Sequence, residues 1–217
     1  TVGLAEMPAF AARAASPFSL TAATGVVDLT GSQGPETAVW FYNDRIPGPE
    51  LRFKTGDMLD IAFTNQLPDP TTVHWHGLRP PVGMDGVPYT SQPPVATGEG
   101  FTYRFPLTES GTYWYHPHFE GSQQVGRGLR GVLIIEDEEP LDVDREVTWL
   151  LDDWRMDNSA QLAPFGGMHD ASHAGRIGNV VSVNGSLQTG EPVRAGERIR
   201  LRLINGANAR LFALEFP

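Results

Sequence analysis

The chain has 217 residues, of which 40% are apolar, and this is enough to bury one sizeable core or two modest ones. Its 16 basic and 26 acidic residues give a formal net charge of −10, and such a surface repels nucleic acid and anionic membranes. No apolar run approaches the ~20 residues that span a membrane. The absence of cysteine excludes disulfides and thiolate-bound metals within the chain.

Short alternating runs separated by turn residues predict an all-β protein, in keeping with 24 glycines and 18 prolines. Residues 1–16 are rich in alanine without a firm period, and we expect an N-terminal tail there. Their sequence lacks the pattern of a signal peptide, so any export signal is expected to have been removed. A first domain is predicted over 17–139, with a Gly-rich connection at 121–128 and an acidic linker beginning at 136. A second, incomplete domain is predicted over 140–217.

The second domain repeats part of the first. Lys54–Asn65 and Arg194–Asn205 share a basic residue, a glycine, an acid, three alternating apolar residues and a final asparagine, at a distance of 140 residues. Two copies of a Greek-key sandwich fit this repeat and the number of strands. The second copy stops before it is complete, because nothing corresponds to the part of the first copy that follows residue 77.

Two short segments, TVHWHG at 72–77 and TYWYHPH at 112–118, each carry two histidines at positions i and i+2. On a strand this spacing places both imidazoles on one face, with Cα atoms about 6.6 Å apart. Four converging imidazoles, from His74, His76, His116 and His118, suit two or three closely spaced metal ions. Imidazole binds copper, zinc, iron or nickel, so the pairs alone do not name the metal. Incidental histidines in aromatic core strands are the alternative, but four of the six histidines fall in these two pairs.

The repeat places Leu214 and Phe216 opposite His74 and His76. The second copy therefore carries apolar residues where the first carries candidate ligands. We expect it to be a scaffold without a metal site of its own.

At these residues the chain resembles the multicopper oxidases, which include laccases, ascorbate oxidase and bacterial metallo-oxidases. The matching segments are HWHGL at 74–78, DGVP at 85–88, GTYWYHPH at 111–118 and GLRGVLIIED at 128–137. The resemblance implies an all-β, cupredoxin-like Greek-key β-sandwich, duplicated, with the second copy truncated. It also implies periplasmic or secreted localisation. The implied activity is one-electron oxidation of a phenol or a metal ion at a type 1 copper, coupled to reduction of O₂ to water at a trinuclear cluster.

The same resemblance implies a role for each candidate residue. His74 would bind the type 2 copper, His76 and His116 would share one type 3 copper, and His118 would bind the other. Asp85 matches an acidic residue that the family associates with proton delivery, although a plain turn aspartate before Gly86 is an equally good interpretation.

The chain departs from the family in one respect, since a type 1 site needs a cysteine and the chain has none. We therefore expect it to be the N-terminal part of a larger enzyme, inactive by itself. A missing C-terminal domain or a neighbouring chain would complete the cluster.

Two other functions remain open. One is a non-catalytic structural protein with a cupredoxin fold. The other is a zinc hydrolase, although such sites usually add a carboxylate soon after the His pair and 77–81 has none. Copper content would separate the three hypotheses.

Three smaller expectations concern other residues. His169 and His173 could bind a surface copper if they lay on a helix, but their Gly-flanked segment favours loop histidines. Trp75 and Trp114 are expected in core packing. Arg127 and Arg130 are expected at the surface.

Overall fold

The computed structural model describes residues 17–29, 34–139, 141–168, 170, 175–187 and 190–215. The expected tail at 1–16, both His169 and His173, and Phe216 lie outside these residues. The regular structure is nearly all β, with these strands: β1 Phe18–Val27, β2 Thr37–Tyr42, β3 Gly48–Lys54, β4 Met58–Asn65, β5 His74–His76, β6 Gly100–Pro106, β7 Gly111–His116, β8 Gly131–Glu136, β9 Arg145–Trp154, β10 Val180–Val183 and β11 Ile199–Asn205. A 3-10 turn at Val82–Met84 and helix α1 at Gly121–Gly126 are the other named elements.

The first eight strands form two four-stranded sheets, with the orders β2-β1-β4-β6 and β3-β8-β7-β5. The pairs β1–β4 and β3–β8 are parallel, while the remaining neighbours in these sheets are antiparallel. Strand β1, near the start of 17–139, and strand β8, near its end, thus lie in different sheets of the sandwich. The predicted all-β, cupredoxin-like fold is confirmed.

The core between the two sheets follows from the alternation in β4. Leu59, Ile61 and Phe63 are at most 2% exposed, and the residues between them are only half-buried. Each such side chain contributes about 1.5–3 kcal/mol when it leaves water. Trp75 and Tyr115 complete this core from the facing sheet, which confirms the expected packing role of Trp75.

A third sheet, β10-β9-β11, repeats the arrangement of β2-β1-β4. In each case the middle strand pairs antiparallel with one neighbour and parallel with the other. The registers also correspond, because the central residue of each set faces an equivalent pair: Ala22 with Tyr42 and Asn65, and Leu151 with Val183 and Asn205. Lys54–Asn65 and Arg194–Asn205 thus end in equivalent strands, while the domain boundaries remain a prediction.

Two asparagines make the same contact in the two halves. Asn43 accepts a hydrogen bond from Thr21 N at 2.7 Å, and Asn184 accepts one from Leu150 N at 2.9 Å. Both have left-handed backbones, with φ of 50° and 51°, a conformation that asparagine tolerates better than most residues. The repeated sequence therefore specifies a repeated turn.

One face of the third sheet differs from its counterpart. Leu203 and Val181 are 44% and 45% exposed, whereas Phe63, which matches Leu203, is 2% exposed. Among the described residues no second sheet covers this face. In the same described ranges, no helix is long and apolar enough to cross a membrane.

The other face of the third sheet packs on the first sandwich. Leu150 and Ile204 contact Val132 and Ile134 of β8, and Trp154 belongs to a separate shared cluster. Arg130 lies in this interface with 1% exposure, so the expectation that it lies at the surface is wrong. Its two terminal NH groups donate to Asp152 and Gly206 of the second half and to Val125 of α1 in place of water.

Candidate metal site

Strand pairing brings the two histidine pairs together. Strands β5 and β7 are antiparallel neighbours, with His74 opposite His116 and His76 opposite Trp114. Since alternate residues share a face, the three histidines on these strands point to the same side. His118 follows two residues after β7 ends and faces the same space.

The four imidazoles line one open cavity of about 480 Å³. The His74 ring centre lies 5.8, 5.4 and 5.2 Å from those of His76, His116 and His118, respectively. His74, His76 and His116 each offer a ring nitrogen, and these three nitrogens lie within 4.8 Å of one another. Their side chains therefore converge as the sequence predicted, although their roles as ligands remain a prediction.

Hydrogen bonds select which nitrogen of two histidines is free. His74 Nδ1 lies 2.8 Å from the carbonyl oxygen of Asp85, and His116 Nδ1 lies 2.9 Å from that of Pro117. A carbonyl only accepts, so each Nδ1 carries the proton and donates it. Nε2 of both rings consequently carries the lone pair, which is the form that a metal ion binds, and that of His116 faces His76 Nδ1.

The gap between His76 and His116 has the width of a shared metal site. His76 Nδ1 and His116 Nε2 are 3.2 Å apart. Two imidazole nitrogens at bonds of about 2.0–2.1 Å to one tetrahedral ion would be separated by roughly this distance. The donor set, made of neutral imidazoles without a thiolate, fits copper among other borderline metals.

The surroundings of two of the imidazoles favour the neutral form. Desolvation lowers the pKa of His116 to about 3, helped by repulsion from the three other histidines and opposed by its bond to Pro117. Desolvation also lowers the pKa of His76, with further repulsion from His74 and His118. Both rings therefore present lone pairs at neutral pH without competition from protons.

The lowered pKa of His116 predicts that acid destabilises the metal-free protein. An unfolded histidine has a pKa near 6.5, so between pH 6.5 and about 3 the unfolded chain binds a proton that folded His116 does not. As the pH is lowered through this window, His116 alone should reduce the free energy of unfolding by up to about 1.4 kcal/mol per pH unit. Urea unfolding at a series of pH values measures it. His116→Gln should reduce the slope, and equal slopes in the two proteins would refute the assignment.

Asp85 contacts the site through two groups. Its carbonyl accepts the His74 proton, and its carboxylate oxygen lies 3.3 Å from the same nitrogen. Asp85 ends the 3-10 turn, and Gly86 follows with φ of +72°. A Cβ on Gly86 would lie 1.9 Å from the carbonyl oxygen of Val73, so only glycine lets this loop lie directly against the lead-in to β5.

Sequence reasoning missed part of the role of Trp114. Its ring stacks on His116 with centres 4.1 Å apart and lies 5.0 Å from the ring of His76. Trp114 is half-buried and lines the cavity, so it packs on the histidines as well as on β8. The i+2 spacing from His116 was the signal that could have placed it on the face of the cavity.

Helix α1 forms where a Gly-rich connection was expected. Gln124 is fully buried, accepts from Thr71 Oγ1 at 2.7 Å and donates to Pro70 O at 2.8 Å. These bonds tie the helix to the segment before β5. Thr72 Oγ1 also accepts from His118 N at 3.3 Å, so both His segments are joined directly.

One wall of the cavity comes from the second half of the chain. Ala207 and Asn208 line it together with Gly121, Ser122 and Val125 of α1. The predicted scaffold therefore reaches the candidate site itself.

Comparison with known proteins gives a consistent result. A family model described as multicopper oxidase matches residues 24–140. Copper resistance protein A of Escherichia coli is 35% identical over 72% of this chain and 26% of its own length. The multicopper oxidase MmcO of Mycobacterium tuberculosis is 33% identical, with 94% of this chain and 46% of its own length covered.

Solved structures agree in fold as well as in sequence. A crystal structure of a multi-copper oxidase from Pseudomonas thermotolerans has a TM-score of 0.84 and 40% identity, and the match covers 89% of this chain and 47% of that one. The chain thus spans about a quarter to a half of the length of these relatives.

Proposed function

The chain belongs to the multicopper oxidase family, and from this premise we propose that it is the N-terminal part of a copper-dependent oxidoreductase with O₂ as electron acceptor. It would contribute half of a trinuclear copper cluster. The observation that carries the proposal is the single cavity lined by the His74–His76 and His116–His118 pairs. Copper bound there would supply one-electron redox chemistry.

The residues have separate roles in this proposal. His74 would hold the type 2 copper through Nε2, because its Nδ1 donates to Asp85. His76 and His116 would share one type 3 copper across their 3.2 Å gap, through Nδ1 and Nε2 respectively. His118 would hold the second type 3 copper.

Asp85 has two proposed tasks. Its carbonyl fixes the tautomer and orientation of His74, as second-sphere acceptors do for metal-bound histidines. Its carboxylate is about one third exposed and touches the same ring, which suits a group that passes protons between solvent and the cluster. The exposure and the contact support this second task.

The remaining parts of the enzyme would come from outside this chain. The type 1 copper needs a cysteine, and the chain has none, so a C-terminal domain or a neighbouring chain would supply it together with the other histidines. The reducing substrate would be a phenol or a metal ion. Periplasmic or secreted localisation is proposed from the family resemblance.

Metal analysis tests the proposal against its alternatives. We expect the full-length protein, purified without chelators, to contain copper and to show the weak magnetic signal of a spin-coupled copper pair. A protein without bound metal would indicate the non-catalytic cupredoxin-fold alternative, and stoichiometric zinc would indicate a hydrolase. Either of these outcomes would overturn the oxidase assignment.

A further inference from the structure

Helix α1 is linked to the second half of the chain near both of its ends, directly through Asn208 and indirectly through Arg130, which lies between α1 and β8 in the first half. Near its start, Asn208 Nδ2 donates to Ser122 O at 2.8 Å. At its end, Arg130 donates to Val125 O. Arg130 also donates to Gly206 O at 2.7 Å, only two residues before Asn208.

Arg130 is buried and has several partners. It is 1% exposed, pairs with Asp152 of β9, and its guanidinium carbon lies 5.0 Å from the ring centre of Trp154. Burial opposes its charge and lowers its pKa, while Asp152 raises it. A planar guanidinium can serve Asp152, Gly206 and Val125 together, and the ammonium of lysine cannot reproduce that fork.

The contact between Asn208 and α1 leaves no spare room. A Cβ on Gly126 would lie 2.8 Å from Asn208 Nδ2 and 2.7 Å from Phe165 Cε1. Both of these neighbours belong to the second half of the chain. The helix therefore contacts the second half on one side, and its own Gln124 bonds it to the first half.

Helix α1 in turn sets the position of a candidate ligand. The helix begins at Gly121, three residues after His118. The residue before it, the N-cap Glu120, has a left-handed backbone with φ of 42°. Only Phe119 and Glu120 separate the helix from His118, so a shift of the helix would move His118 against its bond to Thr72 Oγ1. The other three histidines lie on the paired strands β5 and β7, so their positions do not depend on the helix.

We propose that the segment Gly206–Asn208, anchored by Arg130, positions α1 and through it the His118 imidazole. The second half of the chain then acts as a buttress that sets how tightly the first half binds copper. Asn208 and Arg130 are positioning residues, since neither touches the metal. The inference rests on the proposed function in one respect, that His118 binds copper.

Two variants test the buttress in the full-length, metal-free protein. Asn208→Ala removes the bond to Ser122, and Arg130→Lys removes the fork. We expect each to weaken Cu²⁺ binding about tenfold in competition with a chelator, which is the usual effect of changing a group that orients a ligand. Asn179→Ala is the matched control, because the Asn179 side chain bonds to the backbone of Met156 in the second half and its loss should leave the Cu²⁺ affinity unchanged.

Imidazole NMR signals of the metal-free protein separate positioning from simple loss of stability. Both variants should shift the signals of His118 and leave those of His74 in place, whereas general destabilisation would affect all four rings. Asn208 is only half-buried, so Asn208→Ala tests the proposal even if Arg130→Lys does not fold.

The possible outcomes are distinct. Wild-type affinity together with unchanged His118 signals in Asn208→Ala would overturn the buttress. If the unmodified protein bound no copper, the proposed function would fail, while the His118 signals would still decide whether the segment positions this side chain.

Discussion

Replacing His116 by alanine should abolish O₂ consumption by the full-length protein while leaving its blue colour intact. His116 shares a 3.2 Å gap with His76, and removing it leaves the proposed type 3 copper with one ligand from this chain. Loss of a direct ligand should reduce turnover by more than the 10- to 100-fold that loss of an orienting group causes. The blue band arises at a type 1 site, which this chain does not contain because it has no cysteine. An oxygen electrode with a phenol as reductant and a visible spectrum measure both effects.

A second histidine provides the control. His173→Ala removes an imidazole that lies outside the two pairs and should change neither turnover nor colour. If His116→Ala instead bleached the blue band, the residue would belong to the site of electron entry, and the assignment to the cluster would be wrong.

The 217-residue chain alone, loaded with copper, should show no intense blue band and no O₂ uptake. It offers two of the four His-x-His pairs that the family uses and no thiolate, so it can neither fix three coppers nor receive electrons at a type 1 site. Copper added to it should bind loosely and leave on dialysis. The measurement is O₂ uptake with a phenol or Cu⁺ as reductant.

The chain offers its own control for this result. His76→Ala should lower the amount of loosely bound copper, and O₂ uptake should be absent in this variant as in the unmodified chain. Steady O₂ consumption that disappears in His76→Ala would show that these residues form a complete enzyme.

Local patterns predicted the parts of the fold that depend on neighbours in sequence. The alternation in β4 places Leu59, Ile61 and Phe63 in the core because strand side chains have a period of two residues. The i, i+2 spacing placed each histidine pair on one face for the same reason. The repeat at 140 residues predicted that Lys54–Asn65 and Arg194–Asn205 lie in equivalent strands, and β11 indeed pairs with β9 as β4 pairs with β1.

Features that depend on distant partners could not be predicted in this way. Arg130 is buried because Asp152 and Gly206 reach it from the second half of the chain, and nothing near Arg130 in sequence indicates them. Helix α1 contains glycine at both ends, and its stability comes from Gln124 binding outside the helix. The group that orients His74 is a backbone carbonyl, which every residue has, so no side-chain pattern could single out Asp85 for it.

The register of β5 against β7 gives the site an all-or-none character. His74 faces His116, and a slip of one residue would send one pair of imidazoles to the opposite face of the sheet. An insertion of one residue therefore matters because it changes the face on which the following side chains lie, and less because it changes a distance. A single residue added within β5 or β7 would dismantle the cavity, whereas the loops between β5 and β7 can change length without altering parity. Variation among related chains should accumulate in those loops outside Asp85 and Gly86, which contact His74 and the residue before it, and the two strands should keep their lengths.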